Sequence, residues 1–274
     1  MEQVAVIARA RALFGASPRP LAFVPTMGAL HAGHLELVRQ VRPRAATVGA
    51  SIFVNPLQFG ANEDLVRYPR DLERDSLKLA AEGVDVLFAP DAAEMYAPGF
   101  STSVDPGPLA TVFEGAVRPG HFRGVATVIV KLLNVVQPDT LVLGQKDAQQ
   151  AVILRKVLRE LDAGVNLEVV PTVREPDGLA MSSRNAYLDT AQRTAAPSLH
   201  RALSAVLEVL ERGAGKLDAL AAGAKQLDAS AKLEYLDVVD AEDFAPLERL
   251  RRPAFVIGAA RFGTTRLIDN LWVR

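Results

Sequence analysis

The order of apolar runs predicts an α/β chain in which a doubly wound parallel sheet is followed by a smaller α+β domain with an antiparallel sheet. Three observations carry this. Between Leu21 and Pro171 short apolar runs alternate with helix-spaced patterns, the mark of repeated strand–helix units. Beyond Pro171 the style changes to amphipathic helices followed by strand-like segments. The length of 274 residues exceeds what one hydrophobic core usually organises, which favours a large domain plus a small one.

Leu21 to Pro25 (LAFVP) reads as the first strand of the series and Leu35 to Val41 as the helix after it. Val48 to Val54 is the next strand, Leu72 to Ala81 the next helix and Val84 to Ala89 a further strand. The strongest helix is Arg123 to Gln137, where Val125, Val128, Ile129, Leu132, Leu133 and Val136 recur at three- and four-residue spacing to make one buried stripe, and Pro138 ends it. Thr140 to Leu143 is a strand running into Gly144, Ala148 to Leu161 a helix, and Leu167 to Val170 a strand.

In the second part Leu199, Leu203, Val206, Leu207 and Leu210 mark an amphipathic helix, and Leu217 to Leu227 forms another beyond the break at Gly213 to Gly215. Leu233 to Val239, Ala254 to Ala260 and Thr265 to Trp272 read as strands of a small antiparallel sheet, with Gly263 at one turn. The boundary is placed near Pro176, giving domains 1–175 and 176–274. Arg174 to Asn185, with Pro176, Gly178, Ser182 and Ser183, suits a mobile connection over a cleft.

Composition narrows the chemistry. Apolar residues make up 49% and charged residues 23%, and the net charge is −1 with 31 Lys and Arg interspersed among 32 Asp and Glu, so no nucleic-acid partner is indicated and phosphate contacts must be local. Cysteine is absent, which excludes disulfides, thiolate nucleophiles and Cys-ligated metals. Arg9 and Arg11 directly follow the apolar Val4 to Ala8, unlike a secretory signal, and Val125 to Val136 is too short and too interrupted to span a bilayer, so the expected location is the cytoplasm with no membrane partner.

The segment FVPTMGALHAGH, Phe23 to His34, is the first to carry chemistry. A strand ends near Pro25, Gly28 gives a permissive backbone, and Leu35, Leu37, Val38 and Val41 begin a helix. Such a junction aims backbone N–H groups at the space above the sheet edge, where an anion fits. His31 and His34 stand three apart, so both rings can face one ligand on a helix's first turn, and Gly33 leaves room for phosphates. From spacing alone a phosphate cradle and a simple helix cap both stand. A catalytic zinc site wants three protein ligands, and the remaining His121 and His200 lie in no ligand-spaced motif with this pair.

FVPTMGALHAGH resembles the His-x-Gly-His signature of a nucleotidyltransferase superfamily, and PTMGALHAGH in particular resembles the pantothenate synthetases. SIFVNPLQFGANEDLVRYPRDLERD, RPGHFRGVATVIVKLLNVVQPD, GQKDAQQ and VREPDGLAMSSRN resemble that family in the same order, covering most of residues 21 to 189, whereas the final ~85 residues resemble it weakly. The resemblance implies a Rossmann-like first domain that binds ATP and pantoate, a smaller lid domain and a homodimer.

The other motifs have their own physical sense. Asn55 and Gln58 follow a strand at the sheet's carboxyl edge, and Gln58 offers a donor and an acceptor to a hydroxy-acid such as pantoate without a competing charge; the alternative is a loop amide fixing its own turn. At the next strand-to-helix junction Gly144 permits close approach of a nucleotide, Lys146 supplies a mobile cation for phosphate and Asp147 an acceptor for a ribose hydroxyl. Gln150 stands about a turn into the helix, where it could meet Gln58 across a small pocket. Otherwise Asp147 is an N-cap and Lys146 a solvated charge. Met181, Ser182, Ser183 and Arg184 fit a triphosphate tail and, by resemblance, play the superfamily's second phosphate-binding loop; their plain reading is a cap.

Motifs and resemblance together assign ATP contacts to Met27, Gly28, Ala29, Leu30, His31, Ala32, Gly33, His34, Gly144, Gln145, Lys146, Asp147, Val173, Met181, Ser182, Ser183 and Arg184. Pantoate and β-alanine contacts go to Met27, Asn55, Gln58 and Gln150, and the catalytic roles to His31, His34, Lys146 and Arg184. Tyr68, Asp75, Arg118 and His121 fall in matching segments without an assigned role. Gly213 to Lys216 (GAGK) imitates a P-loop but lacks its upstream glycine and the Ser or Thr after the lysine. The implied reaction is ATP-dependent joining of pantoate and β-alanine through an acyl-adenylate, with Mg2+ carried by the ATP phosphates. Transfer of AMP to a phosphorylated acceptor shares the His pair, and so does a nucleotide-binding regulator without chemistry.

Overall fold

The computed structural model describes residues 1–60, 63 and 65–274; positions 61, 62 and 64 of the segment that begins at Ser51 lie outside them. The chain divides into two compact units, Met1–Gly144 with Ile153–Val170, and Gln145–Val152 with Pro171–Arg274. No helix among the described residues is long and apolar enough to cross a membrane.

The order of elements is β1 (Glu2–Val4), α1 (Ile7–Ala16), β2 (Leu21–Thr26), α2 (Ala32–Val41), β3 (Thr47–Ile52), α3 (Leu72–Ala81), β4 (Val86–Phe88), α4 (Ala92–Met95), α5 (Glu114–Val117), α6 (His121–Val136), β5 (Thr140–Gly144), α7 (Ala148–Glu160) and β6 (Asn166–Val170). β1 and α1 are additions to the sequence reading. Glu2 and Gln3 of the three-residue β1 are exposed, and α1 is interrupted by Arg9 and Arg11 and has no side-chain N-cap, so neither leaves a clear pattern.

These strands form one parallel six-stranded sheet in the order β1-β4-β3-β2-β5-β6. Both faces are covered, which is why the strands read as continuous apolar runs. Leu21 and Phe23 point into a core shared with Phe14 of α1 and with Val125, Ile129 and Leu132 of α6, while Ala22 and Val24 point to the opposite core with Leu37, Val38 and Val41 of α2 and Leu79 of α3. Gly49 in β3 is required by this packing, because a Cβ there would lie 2.5 Å from the Phe14 ring. β2 leads through α2 to β3 on one side, whereas β5 pairs with β2 on the other, only at Ala22↔Thr140 and Phe23↔Leu141. The carboxyl ends of β2 and β5 therefore flank the sheet's topological switch point, where open α/β sheets bind ligands.

The second unit contains α8 (Thr190–Ala195), α9 (Ser198–Glu211), α10 (Lys216–Ala224), β7 (Ala231–Asp240), β8 (Ala254–Phe262) and β9 (Thr265–Val273). The strands make an antiparallel sheet in the order β7-β8-β9, and Leu203, Val206 and Leu210 of α9 pack with Val238, Val256 and Val273 from it. Residues 174–180 form a hairpin closed by the Arg174↔Ala180 bridge and by Met181 N–H donating to Val173 C=O at 3.0 Å. Arg174 makes a two-pronged ion pair with buried Asp269 (2.6 and 2.9 Å) and donates to Gly178 C=O. Against the expectation of a mobile connection, the segment is pinned to β9 by a bidentate ion pair, the geometry in which Arg and carboxylate hold best.

Candidate active site

In the first unit the His turn follows β2. Gly28 (φ 78°) and Ala29 (φ 51°) both take left-handed backbone, which for alanine stores strain. His31 is the N-cap of α2 and His34 its third residue, and the two make a reciprocal capping box: His31 Nδ1 accepts from Gly33 N–H at 3.2 Å, and His34 Nδ1 from His31 N–H at 3.4 Å. The rings stand 4.1 Å apart, centre to centre. Because Nδ1 is the acceptor in each, a neutral ring carries its proton on Nε2.

The N–H groups of Gly28, Leu30, His31, Gly33 and His34 are engaged within the protein, by Thr26 Oγ1, Asp75, the two imidazoles and His31 C=O. Five amides of the turn are thus committed within the protein, to Thr26, Asp75 and the capping box.

Asp75 and Lys78, one turn apart on α3, hold the turn from behind. Asp75 Oδ1 accepts from Leu30 N–H (3.1 Å) and Lys78 Nζ donates to Leu30 C=O (2.6 Å), so the peptide units on both sides of Leu30 are fixed. Asp75 is buried, as is Leu30.

The turn after β3 carries Asn55 and Gln58, both buried. Asn55 Oδ1 accepts from Leu57 N–H (3.2 Å) and from the Tyr96 hydroxyl (2.7 Å), while Nδ2 donates to Gly124 C=O (3.1 Å) and Gln58 Oε1 (3.0 Å). Its hydrogen-bonding capacity is used inside the protein, so the turn-fixing alternative describes it. Burial raises the Tyr96 pKa and keeps its hydroxyl a donor. Gln58 consequently has its carbonyl oxygen toward Asn55 and its amide nitrogen 3.0 Å from Met27 Sδ.

Arg118 and His121 fix the backbone of the same turn. His121 Nδ1 lies 2.9 Å from Gln58 C=O and must donate, leaving Nε2 to accept from Arg118 Nη1 at 3.0 Å. Burial, and then the Arg118 charge, push the His121 pKa down to about 4, so the ring is neutral in this role. Arg118 is held by Glu63, with Nε 3.0 Å from Oε1; burial raises the Glu63 pKa, but the Arg118 hydrogen bond and charge outweigh it and leave it below the usual range. Tyr68 is buried with its ring edge-on to Phe59.

In the second unit Gln145, Lys146 and Asp147 form a 3-10 turn directly after Gly144, the last residue of β5, and Gln150 follows on α7. Lys146 is mostly shielded and its Nζ is 3.4 Å from the exposed Asp147 carboxylate. Ser182 caps the 3-10 turn Ser183–Tyr187, accepting from Arg184 N–H at 3.3 Å, so the capping alternative holds for its side chain, and Met181 and Val173 form the base of the hairpin. Lys146, Ser182, His200 and Asp269 share the lining of one small cavity. Burial, then the Arg174 charge, lower the His200 pKa, with Asp269 opposing. Lys216 of the false P-loop pairs with Asp237 at 2.7 Å.

Sequence reading gave no role to Asp75, Lys78, Tyr96 and Asn270. Each acts on a backbone group or amide far away in sequence, which no local spacing signals. Among the described residues no group of three or more His, Asp or Glu is placed to hold a metal ion.

The model of the pantoate-beta-alanine ligase family matches residues 1–272. The chain belongs to that family. It is 51% identical over 273 residues to the pantothenate synthetase of Roseiflexus castenholzii, with 98% of each chain covered. It is 50% identical to the pantothenate synthetase of Thermus thermophilus, whose crystal structure matches with a TM-score of 0.95 over 99% of both chains. The Francisella tularensis pantoate-beta-alanine ligase, solved in complex with β-γ ATP and β-alanine, is 31% identical with a TM-score of 0.81, over 99% of this chain and 97% of that one. The family match also spans the C-terminal residues, where the motif resemblance was weak.

Proposed function

We propose that this ligase condenses (R)-pantoate with β-alanine through an enzyme-bound pantoyl adenylate, using ATP and releasing AMP and pyrophosphate. The observation that carries the reading lies in the first unit. Gln58, a neutral amide turned to its donor side, is held against Met27 at the start of the turn that ends in the His31–His34 pair. An acid-reading amide and two imidazole N–H donors suited to phosphate are therefore set on adjoining turns at the carboxyl edge of one sheet. The ligand set of the Francisella relative supports ATP and β-alanine as substrates.

In the first step a pantoate carboxylate oxygen attacks the α-phosphorus, the bond to the bridging oxygen breaks and pyrophosphate departs. In the second the β-alanine amine attacks the acyl carbon, AMP leaves with the bridging oxygen, and the amine proton passes to solvent. Charge builds on the phosphoryl oxygens and pyrophosphate, so preorganised donors and cations lower the barrier. His31, His34, Lys146, Ser182, Ser183 and Arg184 are assigned to that task. His34 serves as an Nε2–H donor to a phosphoryl oxygen and need not give up its proton. Gln58 and Gln150 orient pantoate, and Asn55 orients Gln58. Mg2+ is assigned to the triphosphate, the usual mode for an ion that keeps its waters. A cytoplasmic homodimer belongs to the same reading, from the family resemblance.

Incubation with ATP, Mg2+ and pantoate alone should yield bound pantoyl adenylate and pyrophosphate, and AMP should appear on adding β-alanine. Formation of ADP and phosphate would instead identify an acyl-phosphate route and end the adenylate reading.

A further inference from the structure

The two carbonyls that flank Lys146 are both held by one side chain at the far end of the chain. Asn270, on β9 and only 2% exposed, donates from Nδ2 to Gln145 C=O at 2.9 Å and to Lys146 C=O at 2.8 Å. Gln145 Nε2 returns a bond to Asn270 Oδ1 at 3.1 Å, which settles which end of the amide faces the turn. The Gln145 carbonyl belongs to the peptide before the Lys146 Cα and the Lys146 carbonyl to the peptide after it. Fixing both peptide planes fixes φ and ψ at Lys146, and with them the direction in which its side chain leaves the backbone.

Asn270 is itself held. Its C=O accepts from Arg174 Nη2 at 3.0 Å and its N–H donates to Asp269 Oδ1 at 2.7 Å, while Ile257 of β8 pairs with it in the sheet. Asp269 is in turn locked by the bidentate Arg174. A buried amide with both hydrogens and its oxygen committed to one short turn is more than β9 needs to stay in its sheet, because the strand's own ladder already supplies that.

We propose that Asn270 is a positioning residue for the ligase reaction, setting Lys146 for the phosphoryl step. This rests on the role given to Lys146 above. A misplaced catalytic cation loses rate even when it still binds, so the effect falls on adenylate formation. Asn270→Ala slows formation of pantoyl adenylate by on the order of tenfold or more and changes the KM for pantoate by less than that, because Gln58, one of the two amides given to pantoate, is fixed by Asn55 and His121 rather than by β9.

The test is a double-mutant cycle on the single-turnover rate of adenylate formation, with thermal unfolding of each variant recorded alongside. Since Asn270 acts through Lys146, the double variant Asn270→Ala/Lys146→Ala is expected to be no slower than Lys146→Ala alone. A loss that multiplies with that of Lys146→Ala, or no loss from Asn270→Ala, overturns the inference and leaves the role of Lys146 standing. A normal rate for Lys146→Ala instead removes the role of Lys146 itself. Should Asn270→Ala fail to fold, Asn270→Leu takes its place in the cycle, because it fills a similar space and removes both bonds to the turn. A loss that vanishes in the Lys146→Ala background supports the inference, and an additive or absent loss overturns it.

Discussion

Gln58 shows how a side chain of no intrinsic polarity of purpose is given one. A free glutamine amide donates and accepts equally, but Asn55 Nδ2 occupies the Oε1 side of this one, and Asn55 is itself oriented by Leu57 N–H and the Tyr96 hydroxyl. The amide is left to offer N–H to an oxygen-rich acid. Gln58→Ala and Gln150→Ala should each raise the KM for pantoate by roughly 1–3 kcal/mol's worth, about fivefold to 150-fold, with little change for ATP; equal damage to ATP binding in steady-state kinetics would mean that the acid site is misplaced. His121 makes a second residue-scale prediction, about pH. An unfolded chain protonates this imidazole below about pH 6.5, the folded protein only near its pKa of about 4. Between those values the unfolded state binds more protons, so stability is complete above the higher value and is lost as pH falls toward the lower. The full contribution is on the order of 3 kcal/mol. Urea midpoints at pH 5 and 7.5 should differ less in His121→Gln than in the parent, and identical differences would show that His121 does not titrate in this way. His200 has the same sign but is present in both proteins.

At the scale of elements, the helices behind the two turns do the positioning. α3 grips both sides of Leu30 through Asp75 and Lys78, and the first turns of α6 lie against the Asn55–Gln58 turn so closely that a Cβ on Gly124 would be 2.1 Å from Leu57 C=O. Gly124→Ala must therefore push that turn or the helix aside. A loss of about 1–3 kcal/mol in unfolding free energy should accompany a pantoate KM that rises more than the KM for ATP, and an unchanged pantoate KM in a destabilised variant would show that the turn can shift without moving Gln58. The sequence reading anticipated these helices because their periodicity is local: α3 runs over Leu72–Ala81 as expected, and α6 starts two residues earlier than the apolar stripe suggested. Which backbone groups they would hold was not readable. Lys78 to Leu30 spans 48 positions and Tyr96 to Asn55 spans 41, and no spacing rule connects such pairs.

For the whole molecule, the parallel-then-antiparallel order of strands was written in the alternation of apolar runs, and the six-stranded and three-stranded sheets follow it. The allotment of short segments was less visible. Gln145–Val152 groups with the C-terminal unit although it follows a strand of the first. Asn270, 125 positions from Gln145, bonds the start of this segment. Lys146 is shielded to 19% exposure beside Asp147, and Arg184 stands in the turn capped by Ser182; both are assigned to charge that appears only as pyrophosphate departs. Each of Lys146→Ala and Arg184→Ala should slow adenylate formation on the order of a hundredfold, the usual scale for one preorganised transition-state donor, while pantoate binding stays near its original strength. Supplying preformed pantoyl adenylate with β-alanine bypasses the step at which that charge develops. Near-normal pantothenate formation from the preformed intermediate would place both residues in adenylation. Variants that remain slow from it would show that these cations serve amide formation or the integrity of the unit, and the phosphate role given to them would fall.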